Sequence, residues 1–195
     1  MNRFVDLDIE FKEDEDDLDI MGDNQLKNLC TQTSKLPQSQ RLICIFDRDN
    51  PNILKDVTDR NKDFKNWGNN VFSFAIPVPD HRQEDEDVCI ELYYKDSEIK
   101  RTDEHGRRLY LSNEFSKKSG RHKKDKALIY PNPKRISKPK IQIIDDDVLD
   151  EDEKNVALPK SLFAAYILEQ NENFDDFDIS EFEKIFNIIS MISEI

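Results

Sequence analysis

Apolar and acidic residues alternate through Phe4-Val5-Asp6-Leu7-Asp8-Ile9-Glu10-Phe11, and a period of two predicts a strand with one face in a core. Gly22 breaks the chain, and Asp23 or Asn24 can cap a short helix in which Leu26 shares a face with Leu29 or Cys30. A polar turn containing Pro37 follows. Leu42-Ile43-Cys44-Ile45-Phe46 then has no polar interruption, the pattern of a strand covered on both faces in a parallel sheet. Asn50-Pro51 opens a helix whose apolar side runs through Ile53, Leu54 and Val57 and on to Phe64 and Trp67. Gly68-Asn69-Asn70 is expected to end that helix, ahead of a second buried strand, Val71 to Ile76.

The second half of the chain is less regular. Val88 to Tyr94 reads as the start of a helix, with a strand as the alternative. The prolines at 131, 133 and 139 forbid regular helix, so that stretch is a loop or arm, and Ile141, Ile143 and Ile144 suit a short strand. Leu162, Phe163, Tyr166 and Ile167 recur at helical spacing, as do Phe182, Ile185, Phe186, Ile189 and Ile192, and Ser180 with Glu183 fits a capping box. Strand and helix in alternation predict an α/β fold with a parallel, Rossmann-like sheet and flanking helices. The expected organisation is an α/β core over 1–79, an acidic loop, short helix and basic insertion over 80–140, and a helical segment over 141–195 that packs on the core.

Composition narrows the function. No stretch is long and apolar enough to span a membrane, and the acidic start is unlike a secretory signal, so a cytoplasmic protein is expected. Cys30, Cys44 and Cys89 show no Cys-x-x-Cys spacing, which argues against a zinc site or a disulfide framework. A net charge of −13 excludes a generic nucleic-acid coat, but the charge is segregated. Residues 100–140 hold fourteen Lys and Arg against four Asp and Glu, whereas Asp6 to Asp23 holds ten acids against one lysine.

Asp47-Arg48-Asp49 follows the apolar strand, and ligands of open α/β sheets bind beyond the carboxyl ends of strands. Two carboxylates there match the hard oxygen donors that magnesium or manganese requires. The plain alternative is that Asp47 caps the next helix and Asp49 is solvated. An apolar strand ending in Asp-x-Asp resembles the second motif of the Toprim domain, shared by topoisomerases, primases and the overcoming-lysogenization-defect nucleases of phage defence. The resemblance covers about 4–77. It implies a Toprim-like core in which Asp47 and Asp49 hold a divalent cation for phosphodiester chemistry. Cys89 to Tyr94 and Ala157 to Ala164 are similar to segments of bacterial Toprim-like proteins found with defence ATPases or reverse transcriptases, which implies a protein partner of that kind.

The family also places a glutamate after an earlier strand, which would precede Met1. An active chain, either a shortened form whose missing element comes from elsewhere or one in which Glu10 or Glu91 substitutes, is one expectation. A noncatalytic, Toprim-derived subunit that binds a protein partner is the other. Haloacid-dehalogenase-type phosphatases and sugar-nucleotide transferases also use Asp-x-Asp, but Asn50-Pro51 departs from the first pattern and the chain is short for the second.

The basic segment supplies the remaining chemistry. Arg107, Arg108, Lys117, Lys118, Arg121, Lys123, Lys124 and Lys126 are candidate phosphate contacts, with Tyr110, Phe115 and Tyr130 available for base stacking. Alternatively these cations balance acidic loops of the same molecule. His105 and His122 read as surface residues, and the acids from Asp145 to Glu153 as a solvated loop that could lend the metal a carboxylate. Together these features give a working expectation of a magnesium-dependent nuclease or nuclease subunit acting on DNA or RNA, plausible in antiphage defence.

Overall fold

The computed structural model describes residues 7–10, 22–136 and 140–195. They divide into a first unit, which runs to Pro77 and includes Phe182–Ile195, and a second unit, Val78–Glu181. Half of the expected strand at 4–11 lies outside the described residues, and its described part, 7–10, has no regular structure.

In the first unit the expected helix forms as α1, Asp23–Thr33. Its N-cap is Gly22 rather than Asp23 or Asn24, because the Gly22 N–H donates to Gln25 Oε1 at 2.9 Å. The apolar run forms β1, Leu42–Phe46, and Pro51 opens α2, Pro51–Val57. Val71–Ala75 forms β3, buried at all five positions. Parallel pairing aligns Leu42 with Val71 and Phe46 with Ala75. The core between these elements comprises Cys30, Cys44, Phe46, Ile53, Val57 and Val71, flanked by Leu26, Leu29, Leu42 and Trp67. The three cysteines are free thiols in buried positions.

Further expectations fail in this unit. Phe64 and Trp67 do not continue a helix, since Lys65–Gly68 forms strand β2, antiparallel to β3. Gly68-Asn69-Asn70 is therefore a hairpin turn rather than a helix end. Asn69 and Asn70 adopt φ of 51° and 63°, the left-handed pair that a tight turn between twisted strands requires and that asparagine tolerates. Trp67 is held on the sheet because its indole N–H donates to Ser73 Oγ at 2.8 Å. The fold is mixed α/β, but the described sheet is three-stranded and mixed, in the order β1-β3-β2, not wholly parallel. β3 is central and β1 lies at an edge of the described sheet, which explains why only Cys44 and Phe46 of β1 are buried.

The second unit is built from short pieces. Ile90–Tyr93 is a single 3₁₀ turn, and α3 covers Asp96–Ile99. Strand β4, Tyr110–Leu111, pairs antiparallel with β5, Ile143–Ile144, the short strand expected around Ile143. Helix α4 spans Lys160–Leu168. Isolated bridges, among them Phe115 with His122 and Arg121 with Ile129, add to this two-stranded sheet. Their shared core is Tyr110, Phe115, Tyr130, Ile136, Ile144, Val148 and Ala157.

The proline-containing stretch is not a free arm in its described part. Pro133–Arg135 forms a 3₁₀ turn, Ile136 is buried, and Arg135 pairs with Asp146 at 2.8 Å. Residues 137–139, including Lys138, lie outside the described residues. The last helix, α5, spans Glu183–Ser193 and belongs to the first unit, burying Ile185, Ile188, Ile189 and Ile192. It starts behind a 3₁₀ turn over Ser180–Phe182, with Phe182 at the N-cap, so the Ser180 capping box does not form. The expected helical segment 141–195 is thus shared out: α4 lies in the second unit and α5 in the first.

Candidate functional site

In the first unit the candidate site is the turn between β1 and α2. β1 ends at Phe46, whose carbonyl accepts from the Ile76 N–H at 2.9 Å, which closes the parallel ladder at its carboxyl end. The chain leaves the sheet at Asp47, half-buried, and reaches exposed Asp49 two residues later. Asn50 anchors the far side of this turn, because its side-chain amide donates to the Asp23 carboxylate of α1 at 2.9 Å. The pair is therefore fixed between a parallel strand and two helices, where an α/β sheet commonly binds ligands.

These donors can be tested against the cation the resemblance implies. Magnesium keeps several waters and is commonly held by one or two carboxylates together with substrate phosphate, so two acids with one exposed side suit it. Structural zinc, which takes four protein ligands, does not fit. Among the described residues no three His, Cys, Asp or Glu side chains gather as a metal-holding group. Glu10 is exposed. Glu91 has its own partner in the second unit, since its Oε2 lies 3.1 Å from Lys160 Nζ.

In the second unit the basic segment separates into two populations. Arg101 pairs with Asp176, Arg107 with Asp103, Arg108 with Glu114, Arg135 with Asp146 and Lys140 with Asp87. Arg107 and Arg108 were candidate phosphate contacts, but both are spent inside the fold. Arg107 braces a turn in which Asp103 also accepts from the His105 and Arg107 N–H groups, at 2.9 and 2.8 Å. Arg108 grips both oxygens of Glu114, at 3.1 and 2.8 Å, and lays its guanidinium over the Tyr110 ring, 3.8 Å from the centroid.

Lys117, Lys118, Arg121, Lys123, Lys124 and Lys126 form the second population. All six are exposed. None makes an ion pair with a carboxylate among the described residues, and the bonds that Arg121, Lys123 and Lys126 make go to backbone carbonyls. Tyr110, Phe115 and Tyr130 are buried at 2–4% exposure and pack on one another, so base stacking by these rings, as the sequence suggested, does not survive.

His122 is buried at 6% exposure, not a surface residue. Its Nδ1 accepts from the Asp125 N–H at 2.9 Å, which leaves the ring proton on Nε2, facing Glu114 Oε2 at 3.2 Å. Burial alone would raise the Glu114 carboxyl, but Arg108, the Leu111 N–H and His122 together hold it below the usual carboxylate range. No pattern in the sequence signalled this Arg108–Glu114–His122 group, because its members are joined by a reversal of the chain and not by a periodicity. The acidic run is also engaged: Asp146 takes the Tyr130 hydroxyl at 2.8 Å, and Asp147 accepts from the Asn155 amide at 2.6 Å.

Among the described residues no helix is long and apolar enough to cross a membrane. Comparison of the chain with models of known families, with curated proteins and with solved structures finds no match.

Proposed function

We propose that the chain is a magnesium- or manganese-dependent nuclease, or the nuclease subunit of a larger assembly, that uses a Toprim-like site to act on DNA or RNA phosphodiesters. The observation that carries this reading is the position of Asp47 and Asp49, directly after a strand in parallel pairing and ahead of a helix. Asp47 and Asp49 would hold the cation, and bound there it would supply Lewis acidity at the scissile phosphate. Asn50 and Asp23 fix the turn that carries the two acids. The exposed cations of the second unit would attract the polyanion despite the net charge of −13.

The test is cleavage of labelled DNA and RNA by the purified chain with manganese or magnesium, compared with Asp47→Ala and Asp49→Ala. Cleavage that depends on the cation and falls at least about 10²-fold in either variant is expected. Cleavage untouched by both substitutions would remove the pair from the mechanism. A folded chain with no thermal shift on adding either cation, but in stoichiometric complex with another protein, would replace this reading with that of a noncatalytic partner-binding subunit.

A further inference from the structure

The two cation populations lead to a more specific statement about what the second unit holds, one that rests on the nucleic-acid reading above. Phe115 and His122 pair across a tight reversal, which places Lys117 and Lys118 at its tip. Gly120 closes the reversal through two bonds: its N–H donates to the Ser116 carbonyl at 2.7 Å, and its carbonyl accepts from the Tyr130 N–H at 2.8 Å. A second reversal follows at once. The His122 N–H donates to the Leu128 carbonyl at 3.0 Å, which projects Lys123, Lys124 and Lys126.

The His122 ring is the common pivot of the two tips. On one side it packs against Phe115, with ring centroids 5.2 Å apart, and on the other it fixes the Asp125 amide. The Lys123 N–H donates to the Glu114 carbonyl at 2.7 Å and ties the second tip to the root of the first. Six cations with one acid, Asp125, are thereby displayed on a framework that is already formed.

We infer that the double reversal 117–126 is a preformed binding surface for the phosphate backbone of a double-stranded nucleic acid. None of its cations is ion-paired with a carboxylate among the described residues, the segment holds a single acid, Asp125, and the aromatic rings Tyr110, Phe115 and Tyr130 are buried. Single-strand binding proteins combine cationic grooves with exposed aromatic platforms for unstacked bases. Here the charge is offered without the platforms, which matches a duplex, whose bases are stacked within and whose phosphates lie outside. Recognition of this kind positions the duplex without reading its sequence.

The experiment measures binding of the full chain, in EDTA, to a fluorescein-labelled 20-base-pair DNA duplex, the same sequence as duplex RNA, and one strand alone. EDTA makes the readout independent of cleavage, so failure at Asp47 and Asp49 and failure of this surface can be told apart. The duplex is expected to bind more tightly than the single strand and with little sequence preference. If four to six phosphates are contacted, affinity should fall about 10²- to 10³-fold between 50 and 200 mM salt. The combined change Lys117→Glu, Lys118→Glu, Lys123→Glu and Lys124→Glu should weaken duplex binding at least about 100-fold at low salt. Arg135→Gln, which alters a cation already paired with Asp146, should change it less than about twofold. The DNA and RNA arms show which duplex is preferred. Tighter binding of the single strand, or duplex affinity unmoved by the four charge reversals, would overturn the inference.

Discussion

Gly120 shows how much of the cationic loop depends on one residue. Its φ of +70° is left-handed, and a Cβ built there would lie 2.3 Å from the Tyr130 carbonyl oxygen. That oxygen belongs to the backbone and cannot swing away. Gly106 offers an internal control, with φ of +75° but nothing within 4 Å of its absent Cβ. Gly106→Ala should cost only the left-handed penalty of about 1 kcal/mol. Gly120→Ala should cost about 2–4 kcal/mol, because strain and collision act together. Urea denaturation of the two variants checks this. Equal losses would mean that the reversal opens cheaply and the loop is not preformed.

At the scale of elements, what the sequence discloses depends on whether a segment has a period. Leu42–Phe46, five apolar residues in a row, and Val71–Ala75, apolar but for Ser73, were legible because such runs have few other places to go. β2 was misread because Phe64 and Trp67 stand three apart, a helical spacing, although Phe64 precedes the strand and only Trp67 lies in it. The decisive contact was nonlocal. Ser73 Oγ accepts from the Trp67 indole N–H at 2.8 Å and its O–H donates to the Val57 carbonyl at 2.6 Å, a chain through a fully buried hydroxyl. Ser73→Ala should therefore cost about 1–3 kcal/mol, since it strands a donor and an acceptor in the core. Thermal or urea unfolding of the variant, with Trp67 fluorescence as the probe, measures it. A loss below about 0.5 kcal/mol would show that the indole finds another partner.

The two candidate sites differ in the same way. The Asp47 and Asp49 turn was readable in the sequence because it follows a strong strand signal. The sorting of the cations was not, since Arg107 and Lys117 look alike until the fold brings Asp103 to one and leaves the other exposed. Nor could the burial of His122 be read from a stretch that is otherwise rich in lysine.

At the scale of the whole molecule, charge limits the pH range in which the second unit is stable. Desolvation opposes ionisation of Glu114 and Asp103, yet their arginine partners and backbone donors hold both carboxyls below the usual range. Asp146 is lowered chiefly by the Tyr130 hydroxyl. A depressed carboxyl contributes stability that is present above its unfolded value of about 4 and lost as pH falls through the folded value. Tyr130 works in the opposite direction. Burial, then the bond to Asp146, pushes its phenol up to about 12, so its contribution is full below the unfolded value of about 10 and disappears as pH rises towards 12. The expected profile is a plateau from about pH 5 to about 10 with a loss on each side. The alkaline loss alone would be ambiguous, because deprotonating lysines adds to a net charge that is already −13 and self-repulsion grows everywhere. Tyr130→Phe resolves this, since it removes the titrating proton but leaves the lysines in place. The variant should be less stable than the parent at neutral pH, where the bond to Asp146 is intact in the parent, and the gap should narrow as pH rises from 10 to 12. Unfolding measured across that range, with tyrosinate absorbance followed in parallel, should also show one late-titrating tyrosine missing from the variant. A gap that stays constant with pH would mean that Tyr130 titrates like an ordinary exposed phenol and that its bond to Asp146 does not persist in solution.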